Sequence, residues 1–355
     1  MVPNRLVQPD KNGLGLSTIP WSDRFCWPFP TRDEATALGA VQQAIAGERR
    51  FEFSKQHLDL RNASRVDAMS DQLHRFTFEH LGIRGEIVSL AASWQAVVER
   101  HDYPPVVRDY LGQALAATVL LSGTIKYRGS LILQLQGDGP LRTLVAQATD
   151  RRTIRGMARA TGDVEAGDLK SAFGTGHMAL TAESPGGERY QGIVALEGDR
   201  FAQLVETYFS QSEQLPTRVW LGADGQVAAG LFLQRLPGEQ GDDEDWRRVC
   251  ILADTLECEE LLRVSPLELL RRLFHEEDLR IYDPEPVAFR CSCSRERIAD
   301  VLRSMGHAEA EAIVAEQGAI EADCEFCNAH YHFDAVDVAA LFAEGPLTEA
   351  PGVRH

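Results

Sequence analysis

The sequence predicts an α+β protein with an N-terminal antiparallel-sheet domain bearing helices, a helical linker and a small cysteine-centred C-terminal module. Three observations predict it. Short segments of period two recur from Leu131 to about residue 236, interrupted by helical spacing. A clustered acidic stretch, EQGDDED at 239–245, marks a solvated boundary. Beyond it, four of the seven cysteines fall in two close sets, Cys291 and Cys293, then Cys324 and Cys327.

Residues 1–66 have no sustained periodicity and are expected to form a poorly ordered extension, with Met69 as an alternative start. The sheet domain is placed at 67–240. From residue 86, Ile87, Leu90, Trp94, Val97 and Val98 follow one helix face; Tyr103-Pro104-Pro105 ends that helix, and another is expected over roughly 106–122. Leu131, Leu133 and Leu135 then alternate against Ile132, Gln134 and Gln136, a strand expected to follow a hairpin and closed by the Gly137-Asp138-Gly139-Pro140 turn. Further strands are expected at about 141–149, 153–160, 176–183, 189–197, 217–222 and 227–236, with a helix at 199–212 carrying Leu204, Val205, Tyr208 and Phe209.

The linker, 241–288, holds the helical stripe Trp246, Val249, Cys250, Ala253 and Leu256, and a helix opened by Ser265-Pro266-Leu267-Glu268 in capping-box order. That helix is expected to carry Leu267, Leu270 and Phe274 on one side, with Leu269 and Leu273 beside them. Helices this short need a neighbour to lie on, so the linker is expected to be metastable. In the module, 289–345, Ser294 caps a helix with Ile298, Val301, Leu302 and Met305 inward and Gly306 at its end. A second helix runs to Gly318, a last one covers 334–344, and 346–355 is a tail.

Composition narrows the function. The formal net charge of −17 repels polyanions, which argues against nucleic acid as main partner. No apolar run approaches the ~20 residues of a membrane span, so no membrane partner is expected. A positive segment followed by an apolar core is missing from the first 66 residues, which points to the cytoplasm. In a reducing compartment, close cysteines read as metal ligands or redox thiols before they read as structural bridges.

Zinc prefers four thiolate or imidazole ligands in a tetrahedron, which two knuckles of closely spaced cysteines supply. Here the knuckles are C-S-C and C-E-F-C, separated by enough chain for short helices to fold back between them. Cys291, Cys293, Cys324 and Cys327 are therefore the expected ligands of one Zn2+ per chain in the reduced protein, and the C-terminal module is expected to be zinc-binding. It is too small to hold a core alone, so metal-binding energy of ~10–16 kcal/mol would be its folding energy. C-x-C is tighter and rarer than C-x-x-C, and it is a vicinal dithiol. Neighbouring thiolates can be oxidised to disulfides, so the site suits a sensor. His330 and His332 are read as flanking a strand, and Cys26, Cys250 and Cys258 as unpaired thiols.

Other chemistries lack support. Gly174-Thr175-Gly176 and Gly137-Asp138-Gly139 are not followed by the residues of a phosphate loop, no serine lies in G-x-S-x-G, and HEED at 275–278 reads as a solvated helix end. No enzymatic activity is expected.

The chain also resembles a known family, the 33 kDa chaperonins, redox-regulated heat shock proteins of bacteria, over about residues 70–345. The resemblance rests on DQLHRF at 71–76, RGEIVSL at 84–90, ERHDYP at 99–104, LQLQGDGP at 133–140, ERYQGIVALEGD at 188–199 and SEQLPTR at 212–218. It continues through EELL at 259–262, HEE at 275–277, YDP at 282–284, CSCSRER at 291–297 and CEFCNAHYHF at 324–333. It implies an ATP-independent holdase, inactive while reduced and zinc-bound. Oxidation would join Cys291 with Cys293 and Cys324 with Cys327, release zinc, unfold the linker and yield homodimers that bind unfolding or misfolded client proteins. The extension before Met69 has no counterpart in that family.

Two other readings compete. A zinc-ribbon adaptor for nucleic acid or the transcription machinery meets the wrong charge, because residues 289–345 hold four arginines against eleven acidic residues. A thiol oxidoreductase needs a C-x-x-C opening a helix after a strand, whereas NAHYHF after CEFC alternates like a strand.

Overall fold

The computed structural model describes residues 51–52, 71–187, 189–238 and 240–343. Within the expected extension 1–66 it describes only β1 (Phe51–Glu52), whereas Cys26, Met69 and the tail 346–355 lie outside the described residues. β2 (Gln72–Phe78) and β3 (Ile83–Leu90) follow as an antiparallel pair. The helix expected from residue 86 is thus corrected: residues 83–90 are strand, and α1 (Ala92–Val98) begins only afterwards. β3 is buried on both faces, so its apolar residues lose the alternation that marks a half-buried strand. The Asp71 carboxylate sets the helix start by accepting from the N–H groups of Ala91, Ala92 and Ser93 at 2.6, 3.1 and 2.5 Å.

α2 (Pro105–Thr124) has proline at its first position and is buried over most of its length. β4 (Ser130–Gly137), β5 (Leu141–Thr149) and β6 (Thr153–Ala160) follow, so β4 opens a hairpin instead of closing one. Next come α3 (Leu169–Phe173), β7 (Gly176–Glu183), β8 (Arg189–Ala195), α4 (Phe201–Tyr208) with a π turn after it, β9 (Thr217–Ala223) and β10 (Ala228–Arg235). The acidic stretch opens α5 (Asp243–Ala253), with Asp242 and Asp245 closing a reciprocal cap and acidic residues favourably placed in the first turn. α6 (Cys258–Arg263) and α7 (Pro266–Leu273) complete the helical part of the linker. From Leu279 the chain is extended, as β11 (Leu279–Ile281), β12 (Glu285–Pro286) and β13 (Ala288–Phe289). The last elements are α8 (Arg295–Met305), α9 (His307–Gln317), β14 (Ile320–Asp323), β15 (His330–Phe333) and α10 (Ala335–Ala343).

The architecture is the α+β fold expected, with helices on two mainly antiparallel sheets. One sheet runs β1-β11-β2-β3-β10-β9, with β12 also on β2; the other runs β13-β6-β5-β4-β7-β8, with β13 parallel to β6. α2 packs against strands of both sheets, and the largest core lies around it. A second core lies where the linker helices cover the first sheet: Val249, Ala253, Leu261, Leu269, Leu270 and Phe274 pack on Phe76, Phe78, Ile87 and Leu231. Phe274 meets Phe78 edge-on with ring centroids 5.0 Å apart.

Three local expectations change. Leu267 faces solvent at 44% exposure, because α7 turns Leu269, Leu270 and Leu273 inward instead. Ser265 makes no side-chain cap bond despite its residue order. Val301 points outward, while Ala299 and Leu302 carry the buried side of α8.

Candidate metal centre

The first knuckle is placed by backbone. β13 pairs with β6, Ala288 N donates to Arg152 O at 3.1 Å and Arg290 N to Ile154 O at 3.0 Å, so the chain enters Cys291 clipped to the edge of the second sheet. Upstream, the Glu285 carboxylate bridges Arg75 and Arg152 at 2.8 and 2.7 Å. After the knuckle, Ser294 Oγ accepts from Arg297 N and starts α8, as expected.

The second knuckle is a turn between paired strands. β14 and β15 are antiparallel, Cys324 N donates to Ala329 O and Asn328 N to Cys324 O at 2.9 and 2.7 Å. Asn328 takes a left-handed backbone, φ 56°, which asparagine tolerates better than most residues.

Together these elements bring the sulfurs of Cys291, Cys293, Cys324 and Cys327 within 4.8 Å of one another. Two contacts run between knuckles, Cys291 to Cys324 at 3.6 Å and Cys293 to Cys327 at 3.3 Å. A tetrahedral site with Zn–S bonds of ~2.3 Å has sulfur-to-sulfur edges of roughly 3.8 Å, so this donor set fits zinc closely. The electrostatics agree. A hydrogen bond from the Cys324 thiol pulls the Cys291 pKa down to about 4, and Cys324 is raised in return. Burial pushes Cys327 up to about 11, and a hydrogen bond to Cys293 raises Tyr331 well above an ordinary phenol. A divalent cation held by these sulfurs would favour the thiolate form at all four.

His330 is occupied elsewhere, with Nδ1 2.8 Å from the Asp323 carboxylate, and it stands outside the sulfur cluster. Glu277 of HEED pairs with Arg248 at 2.8 Å. Cys250 is buried and Cys258 exposed, both free thiols. Sequence reasoning missed the body residues that hold the module: Arg155 donates to Ser292 Oγ at 3.0 Å and lies 4.1 Å over the Phe326 ring, and Arg159 pairs with Glu325. These partners are 137 or more residues apart, and no local pattern could announce them.

A family model described as Hsp33 protein matches residues 71–334. The chain belongs to the Hsp33 family. It is 57% identical to the 33 kDa chaperonin of Nitrosococcus oceani over 285 residues, covering 80% of this chain and 99% of that one. Against the 33 kDa chaperonin of Shewanella oneidensis it is 46% identical over 276 residues, 78% of this chain and 96% of the relative. The crystal structure of the 33 kDa chaperonin from Thermotoga maritima shares the fold, with TM-score 0.69 at 24% identity over 77% of this chain and 98% of that one. Family membership places the chain among chaperones and agrees with a cysteine cluster able to hold a metal ion. Among the described residues no helix is long and apolar enough to cross a membrane.

Proposed function

We propose that this Hsp33-family chain is an ATP-independent, redox-regulated holdase of the cytoplasm, switched by one zinc site at Cys291, Cys293, Cys324 and Cys327. The gathering of those four sulfurs within 4.8 Å carries the reading. When bound, zinc supplies the positive charge that holds four thiolates together and most of the folding energy of the module. The module's own small core supports this, for among the described residues its buried hydrophobic side chains are Ala299, Leu302, Ala310, Ile320, Phe333 and Val338.

One hydrogen peroxide takes two electrons from the two thiolates of each knuckle and leaves as two hydroxides, while the sulfurs of Cys291 and Cys293, and of Cys324 and Cys327, join as disulfides. The ligand set is then gone, and the metal with it. The module loses its fold, and the linker loses its anchor: the Glu285 bridge, β13 and the Arg290 N–H bond to Ile154 O are its last hold on the body before the knuckle. α5 to α7 lift from the first sheet, exposing apolar residues such as Phe274, Leu270 and Phe78 to unfolding client chains and to a second copy, with which the oxidised chain forms a homodimer. The large negative charge keeps such complexes soluble.

The proposed boundaries are 67–240 for the client-binding body, 241–288 for the linker and 289–345 for the switch. Light scattering from a heat-unfolding client tests the proposal, comparing zinc-loaded reduced chain with chain treated with peroxide under mild heat. Protection by the treated form, alongside loss of one zinc and four thiols, is the expected result; equal protection by both forms refutes it.

A further inference from the structure

The two residues between the cysteines of the second knuckle, Glu325 and Phe326, serve no metal. Instead they sit on the body. The Phe326 ring lies 4.1 Å beneath the Arg155 guanidinium, and the Glu325 carboxylate pairs with Arg159. Their backbone stands against His101, which stacks on Tyr103 at 5.1 Å. Arg155 and Arg159 occupy alternate positions of β6, so both point to the side away from Ile154, which is in the core. Met157 stands between them on that side and is only 6% exposed.

The strip therefore consists of a flexible thioether between two guanidinia, with an aromatic pair at one side. A guanidinium attracts both a π face and a carboxylate, and methionine adapts to irregular partners. What occupies it is an acidic residue followed directly by an aromatic one, in the chain's own module. The bound Glu325–Phe326 pair thus displays the chemistry the strip recognises. β6 has one further feature: among the described residues its outer edge is paired by the two residues of β13, with Arg152 O accepting from Ala288 N and Ile154 O from Arg290 N. If β13 leaves, those acceptors can take an extended segment.

We propose that the Arg155–Met157–Arg159 strip is an interaction surface for extended client segments bearing an acidic residue next to an aromatic one. In the metal-bound chain it is filled by Glu325–Phe326, and unfolding of the module vacates it. The inference rests on the switch described above, but it can fail separately.

The test uses the full chain and a dye-labelled decapeptide containing two Glu-Phe pairs, with anisotropy as readout. Peroxide- and heat-treated wild type is expected to bind the peptide at least about tenfold tighter than the zinc-loaded form, and Arg155→Ala with Arg159→Ala to lose at least about tenfold of that affinity, as desolvated cation–π and charge contacts predict. A peptide with Lys-Leu in place of Glu-Phe should bind no tighter than the double variant does. Equal affinity of wild type and double variant in the treated form overturns the inference. Zinc-loaded Phe326→Ala, its metal content checked, should bind the peptide more tightly than zinc-loaded wild type; if that variant loses zinc, Glu325→Lys replaces it. Should treated wild type fail to suppress client light scattering, the switch reading fails, and the zinc-loaded variant alone decides: no gain in peptide binding there overturns the strip as well.

Discussion

At the scale of the residue, the four cysteines divide into positions close in sequence and contacts close in space. Sulfur contacts of 3.6 and 3.3 Å join Cys291 to Cys324 and Cys293 to Cys327, whereas the proposed disulfides join neighbours within each knuckle. Peptide mapping after peroxide treatment decides between them, and local bonds are the expected product. Any one of the four changed to serine should drop zinc well below one per chain, because three thiolates leave a structural site incomplete. A different residue-scale prediction concerns Glu86. Its carboxyl is fully buried, Oε2 finds no partner, and burial, opposed by Arg84 and Arg152, raises its pKa to about 7. The folded state then holds this proton more tightly than the unfolded chain does. Stability from Glu86 is therefore greatest below its unfolded pKa and falls as pH rises through about 7. A shift of this size is worth roughly 3 kcal/mol. Thermal melts of Glu86→Gln should show that pH dependence between about 4.5 and 7 flattened relative to wild type.

Elements show where periodicity misleads. The strands at 141–149, 153–160 and 176–183 were legible because apolar and polar residues alternate or turn signals bound them, and the structure places strands there. The end of β3, residues 86–90, reads as helix in the sequence, since a strand buried on both faces offers Ile87 and Leu90 at a spacing that a helix also satisfies. On α7 the element is as expected, but Leu267 faces solvent because the leucine-rich helix offers more than one apolar side. Which side of α7 is buried depends on the first sheet beneath it, and Phe274 is the anchor, 1% exposed and packed on Phe76 and Phe78. Phe274→Ala should remove about 3–5 kcal/mol from that docking. Limited proteolysis should then cut the linker in zinc-loaded chain, and client protection should appear without oxidant.

For the whole molecule, the switch is a matter of unequal support. The body has a core wrapped around α2 between two sheets, while the module has a few buried side chains and the proposed metal site. Chelation of the zinc should therefore remove one calorimetric transition and the helical signal of α8 to α10, and leave the transition of the sheet domain in place. Loss of all structure on chelation would mean that the body too depends on the metal.

The four cysteines that come together and the family were legible in the sequence because each depends on local spacing: C-S-C, C-E-F-C and the ordered motifs between residues 71 and 333. So was the sign of the surface charge. Only the tertiary structure decided that the linker helices cover the first sheet, that its last strands clip onto both sheets, and that Arg155 touches both knuckles at once. Those contacts join residues far apart in the chain. Their energy comes from burial and complementary charge between surfaces, and neither leaves a periodic trace in the segments that meet.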